Sequence, residues 1–389
     1  MTARGWGKRT SALARRRWRW LLAVATAVIG LLAVGAAVSW HFSSAVLVPD
    51  HSSWARETRV ERLFQERVVL ARNEDSERPG VYGLDWVGGH AIAGAVVRQD
   101  ADTVTRRLRA VHGYLAAGMD VGVEPNVYAG DPRQALGLPF AEVEVPDRLG
   151  PMPAWLVPAA RGDTWAIVVH GINGTPQVGL RMVPALHRAG LPTLLITYRE
   201  DFGAPPSPDG LHHMGLTEWR DLAAAARFAL RHGARRLILA GYSMGGAIVT
   251  QFMERSPLAP RVAGLVLDAP VLDWRRTLEF NAIEKGLPGF AALPLEWAVG
   301  VRIDADWSSL DALQHADDLQ LPILLFHGTD DRVVPIATSD ELAAELPRWV
   351  AYHRVPQAGH VESWNVAPRL YERRLETFLA ALHGLSSQM

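Results

Sequence analysis

Residues 235–256, RRLILAGYSMGGAIVTQFMERS, form the most informative stretch of the chain. Residues 237–240 are a short apolar run typical of a buried parallel strand, and an apolar helical stretch begins at Gly246. A strand that turns into a helix over so few residues strains the backbone at the apex. It also requires small residues two positions before and after that apex, and here both are glycine. Ser243 is at the apex, so the pattern predicts a hydroxyl that projects above a sheet edge, beside a helix N-terminus.

The pattern G-x-S-x-G also occurs by chance in chains that are rich in glycine and serine. The strand before it and the helix after it favour Ser243 as a nucleophile. The alternative is an ordinary strand-to-helix turn with an incidental serine.

The composition limits the kind of protein. The 389 residues suit one large α/β domain with extensions, and 49% of them are hydrophobic, enough for a sizeable core. The net charge of -1 gives no indication of nucleic-acid binding. Because the chain has no cysteine, disulfides, thiol catalysis and cysteine-ligated metals are excluded.

The N-terminal region has the pattern of a membrane anchor. Seven of the 40 basic residues and none of the 41 acidic ones lie in residues 1–20. Residues 21–38 are uncharged and are flanked by Trp18, Trp20 and Trp40. We therefore predict a basic cytoplasmic segment at 1–20 and a single transmembrane helix at 21–40 as the contact with the lipid bilayer. The positive-inside rule places the rest of the chain outside the cytoplasm.

A cleaved signal peptide is the main alternative to the anchor. Signal peptides share the basic start, but their apolar segment is usually shorter and ends in an A-x-A-like site. The sequence at residues 36–40, AAVSW, fits such a site poorly.

Residues 41–135 are predicted to be an N-terminal extension that packs on the main domain and carries no chemistry. Residues 54–72 suggest a juxtamembrane helix, residues 82–97 suggest hairpin strands, and residues 103–111 suggest a strand or a short helix.

Residues 136–389 alternate between predicted strands and helices, which indicates an α/β domain with a mostly parallel sheet. The first two of its strands are the ones that could pair antiparallel. The predicted strands are 140–145, 154–157, 165–169, 194–197, 237–240, 262–267, 323–326 and 350–355. The clearest helices are 178–189, 218–232 with Thr217 as its cap, and 368–383.

An attacking serine needs a base, an acid that orients the base, and donors for the developing oxyanion. His360 follows the strand at 350–355 and is the predicted base. Asp330 and Asp331 follow the strand at 323–326, and Asp268 at the end of another strand is an alternative acid that we expect to be structural. These residues all follow strands, at the edge where sites form in parallel sheets.

The donors of the oxyanion hole are predicted to be the backbone N–H groups of Met244 and Ile172, with Asn173 as the alternative to Ile172. The flexible glycines of residues 170–174, HGING, can turn a backbone N–H toward the serine. His170 and His327 each open a His-Gly turn, and we expect both to hold their loops through hydrogen bonds rather than to act in catalysis.

The segments GYSMG, HGINGTP, HGTDDRVVP and AGH together resemble the α/β-hydrolase superfamily. The resemblance covers residues 140–383 and is greatest to membrane-anchored serine hydrolases of the ABHD/Bem46-like and S33-peptidase-like groups. The pattern H-G-x-x-D-x-x-V-P of that superfamily selects Asp331 as the acid. The resemblance implies hydrolysis of an ester, thioester or amide without metal or cofactor.

Residues 273–320 are longer than a simple connection between two strands and are rich in aromatic and aliphatic side chains. We predict a small cap that forms a hydrophobic acyl pocket, and the alternative is an ordinary crossover helix with loops.

The sequence as a whole predicts a membrane-anchored serine hydrolase that cleaves small esters of apolar acyl groups, of the carboxylesterase or lipase type. The alternatives are a serine peptidase or amidase of the same fold, and a non-catalytic protein that retains the fold.

Overall fold

The structure is a computed structural model that describes residues 6–52, 55–160 and 162–386. Residues 1–5, which belong to the predicted basic segment, and Trp54 lie outside the described residues. The chain forms a long N-terminal helix, a six-stranded barrel and a larger α/β domain.

The helices are bounded as follows: α1 Trp6–Leu47, α2 Glu74–Glu77, α3 Pro132–Leu136, α4 Val183–Arg188, α5 Trp219–Arg231, α6 Met244–Arg255, α7 Trp274–Glu284, α8 Leu293–Ile303, α9 Ile336–Glu345, α10 Ser363–Val366 and α11 Pro368–Ser386. The strands of the barrel are β1 Thr58–Phe64, β2 Arg67–Ala71, β3 Tyr82–Trp86, β4 Gly89–Gln99, β5 Thr103–His112 and β6 Asp120–Glu124. Those of the large sheet are β7 Ala141–Pro146, β8 Pro151–Val157, β9 Thr164–Val169, β10 Thr193–Ile196, β11 Arg236–Tyr242, β12 Val262–Asp268, β13 Ile323–Gly328 and β14 Val350–Val355. Short 3₁₀ helices occupy Pro176–Arg181, Ala259–Arg261, Gly289–Ala292, Trp307–Leu310 and Ala316–Leu319.

The large sheet has eight strands in the order β14, β13, β12, β11, β9, β10, β8, β7. The pairs β7–β8 and β8–β10 are antiparallel and the remaining pairs are parallel, so the predicted mostly parallel sheet is confirmed. Apolar clusters cover both faces: α5 and α6 pack on one, α4 and α11 on the other. Because both faces are covered, the central strands β9, β11, β12 and β13 consist almost entirely of buried residues.

The barrel is closed, with its six antiparallel strands in the order β1, β2, β5, β4, β3, β6. Its interior is filled mainly by aliphatic and aromatic side chains, among them Val60, Leu70, Tyr82 and Leu84. The hairpin strands predicted at 82–97 are β3 and β4, and the segment at 103–111 is a strand.

The helix predicted within residues 54–72 is wrong, since the described part of that segment forms β1 and β2. Its apolar residues Val60, Val68 and Leu70 are all fully buried in the barrel. Val68 and Leu70, two residues apart on β2, share the interior cluster with Val60, and burial inside the barrel decides the structure there.

Two details of the predicted helices also differ. The helix predicted at 178–189 is a 3₁₀ turn followed by α4, because Pro184 in the first turn of α4 has no N–H to continue a helix from the preceding turn. Thr217 does not cap α5. The residue before α5 is Glu218, and its carboxylate accepts hydrogen bonds from the backbone N–H groups of the loop instead.

Helix α1 continues past the predicted end of the anchor at residue 40. Ser39, Ser43 and Leu47 form a buried stripe at spacing four, so the last turns of α1 pack on the α/β domain. Helix α8 lies against this part of α1, and the Arg302 guanidinium is 2.8 Å from Ser43 Oγ. Residues 18–47 are long and apolar enough to cross a membrane, as either an anchor or a signal sequence would be.

Residues 273–320, the predicted cap, contain α7, α8 and three 3₁₀ turns between β12 and β13. The Asn281 side chain on α7 donates to the Val333 carbonyl at 2.7 Å. The insertion therefore borders the loop that follows β13 and also contacts the N-terminal helix.

Candidate active site

Ser243 is between the end of β11 and the start of α6, with φ 52° and ψ -119°. A side chain at Gly241 would lie 2.5 Å from the Gly245 carbonyl oxygen, and one at Gly245 would lie 2.3 Å from the Val169 carbonyl oxygen. The two glycines are therefore required by close backbone contacts, as the sequence pattern predicted. The turn stores backbone strain that the surrounding sheet and helix hold in place.

His360 lies in the loop after β14, and its Nε2 atom is 2.8 Å from Ser243 Oγ. Its other ring nitrogen, Nδ1, is 2.8 Å from Asp331 Oδ2. The structure thus brings together the three residues predicted to be catalytic, in the connectivity of a hydroxyl, a base and an orienting acid. Their roles in a reaction remain predictions.

Asp331 is buried and well supplied with donors. Its Oδ1 atom accepts the backbone N–H groups of Val333 at 2.8 Å and Val334 at 2.9 Å. Burial acts to raise the pKa of Asp331, but the attraction of His360 and the hydrogen bonds of His327 and His360 outweigh it and hold the pKa well below its usual range. The carboxylate is therefore ionised wherever His360 could act as a base.

The other candidate acids are engaged elsewhere. Asp330 is exposed, and its carboxylate accepts the Thr329 hydroxyl at 2.8 Å. Asp268 is fully buried and accepts the Ser363 hydroxyl at 2.8 Å, which agrees with the structural role expected for it.

His327 is also buried. It contacts the Ser339 hydroxyl at 2.8 Å and the Asp331 carboxylate at 3.2 Å, so it holds the acid in place.

The loop that contains Ile172 and Asn173 runs directly beside the serine. A side chain at Gly171 would lie 3.0 Å from Ser243 Cβ. The Gly171 carbonyl accepts the Tyr198 hydroxyl at 2.8 Å and contacts His170 Nδ1 at 2.8 Å, which fixes the direction of this peptide. The location suits the predicted oxyanion hole of Met244 and Ile172, and the assignment of these donors stays a prediction.

His170 holds this loop through both ring nitrogens. Its Nε2 atom is 2.9 Å from Asp201 Oδ2, and both residues are buried. Burial acts to lower the pKa of His170, but the attraction and hydrogen bond of Asp201 outweigh it, so the pKa is raised above its usual value. Both ring nitrogens of His170 face oxygen atoms, so the histidine links the loop to the segment after β10, in agreement with the loop-holding role expected from its His-Gly turn.

Two family models match separate parts of the chain. The model of the prolyl oligopeptidase family matches residues 208–384, a span that contains Ser243, Asp331 and His360. A model described as a domain of unknown function, DUF8805, matches residues 58–124, which run from the first residue of β1 to the last of β6.

Two relatives give further comparisons. An uncharacterized protein of Mycobacterium tuberculosis, strain H37Rv, is 27% identical over 219 residues, covering 55% of this chain and 68% of the relative. The Pf2001 esterase of Pyrococcus furiosus matches with a TM-score of 0.52 at 18% identity, over 66% of this chain and 95% of the esterase. This chain has the α/β-hydrolase fold. Together with the prolyl oligopeptidase match, the comparison supports a serine hydrolase.

The barrel makes a contact with the α/β domain that could not be read from the sequence. Glu362, two residues after His360, is buried and forms an ion pair with Arg78 of the loop before β3. The Tyr82 hydroxyl of β3 donates to the same carboxylate at 3.0 Å. Residues 41–135 were expected to carry no chemistry, and none of their side chains shown here touches the triad. They do contact the segment that carries the base.

Proposed function

We propose that the protein is a membrane-anchored serine hydrolase that cleaves carboxylic esters of apolar acyl groups through an acyl-enzyme intermediate. One observation carries the proposal. At a strained strand-to-helix turn, Ser243 Oγ lies 2.8 Å from His360 Nε2, and His360 Nδ1 lies 2.8 Å from the buried Asp331 carboxylate.

In the proposed reaction, Ser243 Oγ attacks the ester carbonyl carbon while His360 Nε2 takes the hydroxyl proton. The tetrahedral intermediate collapses, His360 returns the proton to the leaving alcohol, and the acyl group remains on Ser243. A water molecule, deprotonated by His360, then attacks the acyl-enzyme, which releases the acid and restores the serine. Asp331 keeps the imidazole in the tautomer whose Nε2 accepts the proton, and it stabilises the imidazolium that forms.

The backbone N–H groups of Met244 and Ile172 are the proposed donors to the oxyanion. Met244 is the first residue of α6, where the helix dipole also favours developing negative charge. The held carbonyl of Gly171 supports this arrangement because it belongs to the same planar peptide as the Ile172 N–H and so fixes its direction.

The preference for apolar acyl groups is inferred from the surface beside α1. Leu293, Trp297 and Val301 are spaced four residues apart on α8 and are 60%, 54% and 56% exposed. Phe290, just before α8, is 70% exposed. Because α8 packs along the end of the candidate membrane helix, we infer that this stripe faces the bilayer and that the substrate enters from the lipid phase.

The topology follows from the charge of the N-terminal segment. We propose that α1 stays as an uncleaved anchor in the cell membrane, with its basic end in the cytoplasm and the hydrolase outside. Ser39, Ser43 and Leu47 pack on the α/β domain, so an uncleaved α1 would enter the membrane directly from the surface of that domain.

A peptidase or amidase is the second candidate, and the match to the prolyl oligopeptidase family favours it. The two reactions share the triad and differ in the leaving group, since an amine must be protonated as it departs. The likeness to an esterase favours the ester, and a non-catalytic protein that retains the fold is the remaining alternative.

The deciding experiment compares esters and anilides that carry the same acyl group, in a series of increasing acyl length. The proposal predicts a burst of alcohol release followed by steady turnover, with kcat/KM rising with acyl length on the esters and much lower values on the anilides. Higher kcat/KM on the anilides would establish the peptidase. Absence of turnover on every substrate would favour the non-catalytic protein.

A further inference from the structure

Three buried ligand-type side chains meet behind the loop that carries Ile172 and Asn173. Glu200, His212 and Glu218 are 4%, 0% and 0% exposed. Each offers one carboxylate oxygen or ring nitrogen, and these atoms all lie within 4.8 Å of one another. The residues lie on the segment between β10 and α5, outside the triad.

The hydrogen bonds of His212 define its free nitrogen. Asn173 Oδ1 accepts the Asp50 backbone N–H at 2.9 Å, so this atom is the amide oxygen. His212 Nε2 is 3.1 Å from the same oxygen and must therefore donate its proton to it. In a neutral ring that donates from Nε2, the Nδ1 atom carries the lone pair. This nitrogen is buried without a hydrogen-bond partner among the described residues.

Among the described residues, the donors that hydrogen-bond to the two carboxylates are all neutral. Glu200 Oε1 accepts the backbone N–H and the hydroxyl of Ser207, both at 2.6 Å, whereas Oε2 is buried without a hydrogen-bond partner in the described part of the chain. Glu218 accepts the backbone N–H groups of His213 at 2.6 Å and Gly215 at 3.0 Å.

The nearby cations are already paired with other acids. The Arg199 guanidinium binds Asp221 at 2.7 Å, and His170 binds Asp201 at 2.9 Å. Glu200 and Glu218 thus form a close, buried pair of carboxylates for which the described residues provide no ion pair. Such a pair is costly unless a proton or a cation neutralises it.

We propose that Glu200, His212 and Glu218 bind a divalent first-row transition cation of the Zn²⁺ class. Two carboxylate oxygens and one imidazole nitrogen suit such an ion, whereas Ca²⁺ and Mg²⁺ prefer sites made of oxygen alone. A ligated histidine ordinarily donates its other ring N–H to an oxygen, which is the arrangement of His212 and Asn173. Small rotations of the side chains would bring the three atoms to the distances of about 2.0 to 2.2 Å from the ion that such sites have.

The proposed ion would be structural and would take no part in the hydrolytic reaction. This proposal departs from the sequence-based expectation that the protein binds no metal. His212 also donates its backbone N–H to the Leu47 carbonyl at 2.8 Å. The ion would therefore tie together the end of α1, the loop of Asn173 and the start of α5.

Metal binding to the detergent-solubilised full chain, with no affinity tag, is the test, and it needs no activity assay. The protein is stripped with a chelator, and Zn²⁺ is titrated back against a chromogenic competitor. We expect one ion per chain and a melting temperature that falls by several degrees on stripping and is restored by Zn²⁺. Less than a tenth of an ion per chain, together with a melting temperature that the chelator does not change, would overturn the proposal in favour of a shared proton or buried water.

The neighbouring histidine provides the matched control. The His213 side chain contacts the Asp209 carboxylate at 2.9 Å, whereas its backbone N–H, which a substitution would keep, donates to Glu218. His213→Gln should bind Zn²⁺ like the wild type, whereas His212→Gln and Glu200→Gln should each lose at least tenfold in affinity. Glu200→Gln also removes one of the two facing charges, so it should fold without the ion. Equal affinity in all three variants would place the ion elsewhere.

Discussion

Asp330 and Asp331 are adjacent carboxylates in opposite surroundings. Asp331 is buried, accepts two backbone N–H groups and contacts His360, while Asp330 faces solvent. Consecutive residues in an extended turn point in opposite directions, so only one of the two can meet the histidine. The assignment of the acid therefore depends on placing this loop correctly to within one residue.

The first prediction compares the two carboxamide variants. Asp331→Asn should lower kcat by about three to four orders of magnitude, because the imidazole loses its productive tautomer and the partner of its charged form. Asp330→Asn should stay within about tenfold of wild type, or about 1.4 kcal/mol in the barrier. Both are measured on one soluble ester at one pH, and the reverse ranking would show that the acid is misassigned.

The triad could be predicted from sequence because each of its members follows a strand of the same parallel sheet. Strand ends meet at one edge, so a serine, an aspartate and a histidine far apart in the chain converge there. The support of the acid could not be predicted. His327 was expected to hold its own turn, and its contact with Asp331 depends on side-chain packing that spacing does not show.

At the scale of elements, the barrel is attached to the segment that carries His360. The Arg78–Glu362 ion pair and the Tyr82 hydrogen bond cross from one domain to the other. Arg106, buried in the barrel, donates to the carbonyls of Ser76, Arg78 and Gly80 and so holds the loop from which Arg78 projects. The barrel therefore holds the segment of the predicted base without entering the candidate site.

The second prediction separates this buried ion pair from an exposed one. Arg78→Gln leaves the Glu362 carboxylate, which is 7% exposed, without its cation, and should destabilise the chain by about 2 to 4 kcal/mol. Arg332 and Glu74 also link the two domains but are 73% and 83% exposed, so Arg332→Gln should change stability by no more than about 0.5 kcal/mol. Urea unfolding of the solubilised chain measures both, and equal losses would contradict the argument.

The type of an element was predictable where its sequence pattern is clear, as in the continuous apolar runs of β9, β11 and β13. They were not predictable within residues 54–72, because polar residues surround the buried positions of β1 and β2. Those strands pair with each other and also with partners distant in sequence: β1 pairs with β6, and β2 pairs with β5. Tertiary pairing of this kind has no local signal.

At the scale of the whole molecule, α1 and α8 pack against each other, and both expose apolar side chains. The Arg302 guanidinium lies 5.3 Å from the ring of Trp40 and bonds to the serines of the next turn. In the sequence, the predicted anchor and the predicted cap are separate features. Their contact could not be predicted, since it joins segments about 260 residues apart in the chain.

The third prediction concerns the exposed stripe on α8. Leu293→Glu combined with Trp297→Glu should reduce hydrolysis of an ester embedded in vesicles at least tenfold and leave a soluble short-chain ester within about twofold, because a charge at the lipid boundary costs about 1 to 3 kcal/mol. Val87, 82% exposed on the barrel, supplies the control as Val87→Glu. A matching loss on the soluble ester would indicate damage to the site instead.

The fourth prediction concerns topology. A reporter fused to the C-terminus should be active only outside the cytoplasm, and washing membranes with carbonate should leave the protein in the membrane fraction. Release as a soluble protein with a new N-terminus near Ser39 would establish a signal peptide.

The proposed hydrolysis depends most on Ser243 as the nucleophile, and covalent labelling of this serine tests that role most directly. A fluorophosphonate should add one phosphonyl group per wild-type chain, located on Ser243 by peptide mass analysis. Ser243→Ala should show no labelling and only the residual turnover of an enzyme without its nucleophile, with an unchanged melting temperature as evidence of folding. Labelling of the folded alanine variant, or wild-type label on another serine, would contradict the account.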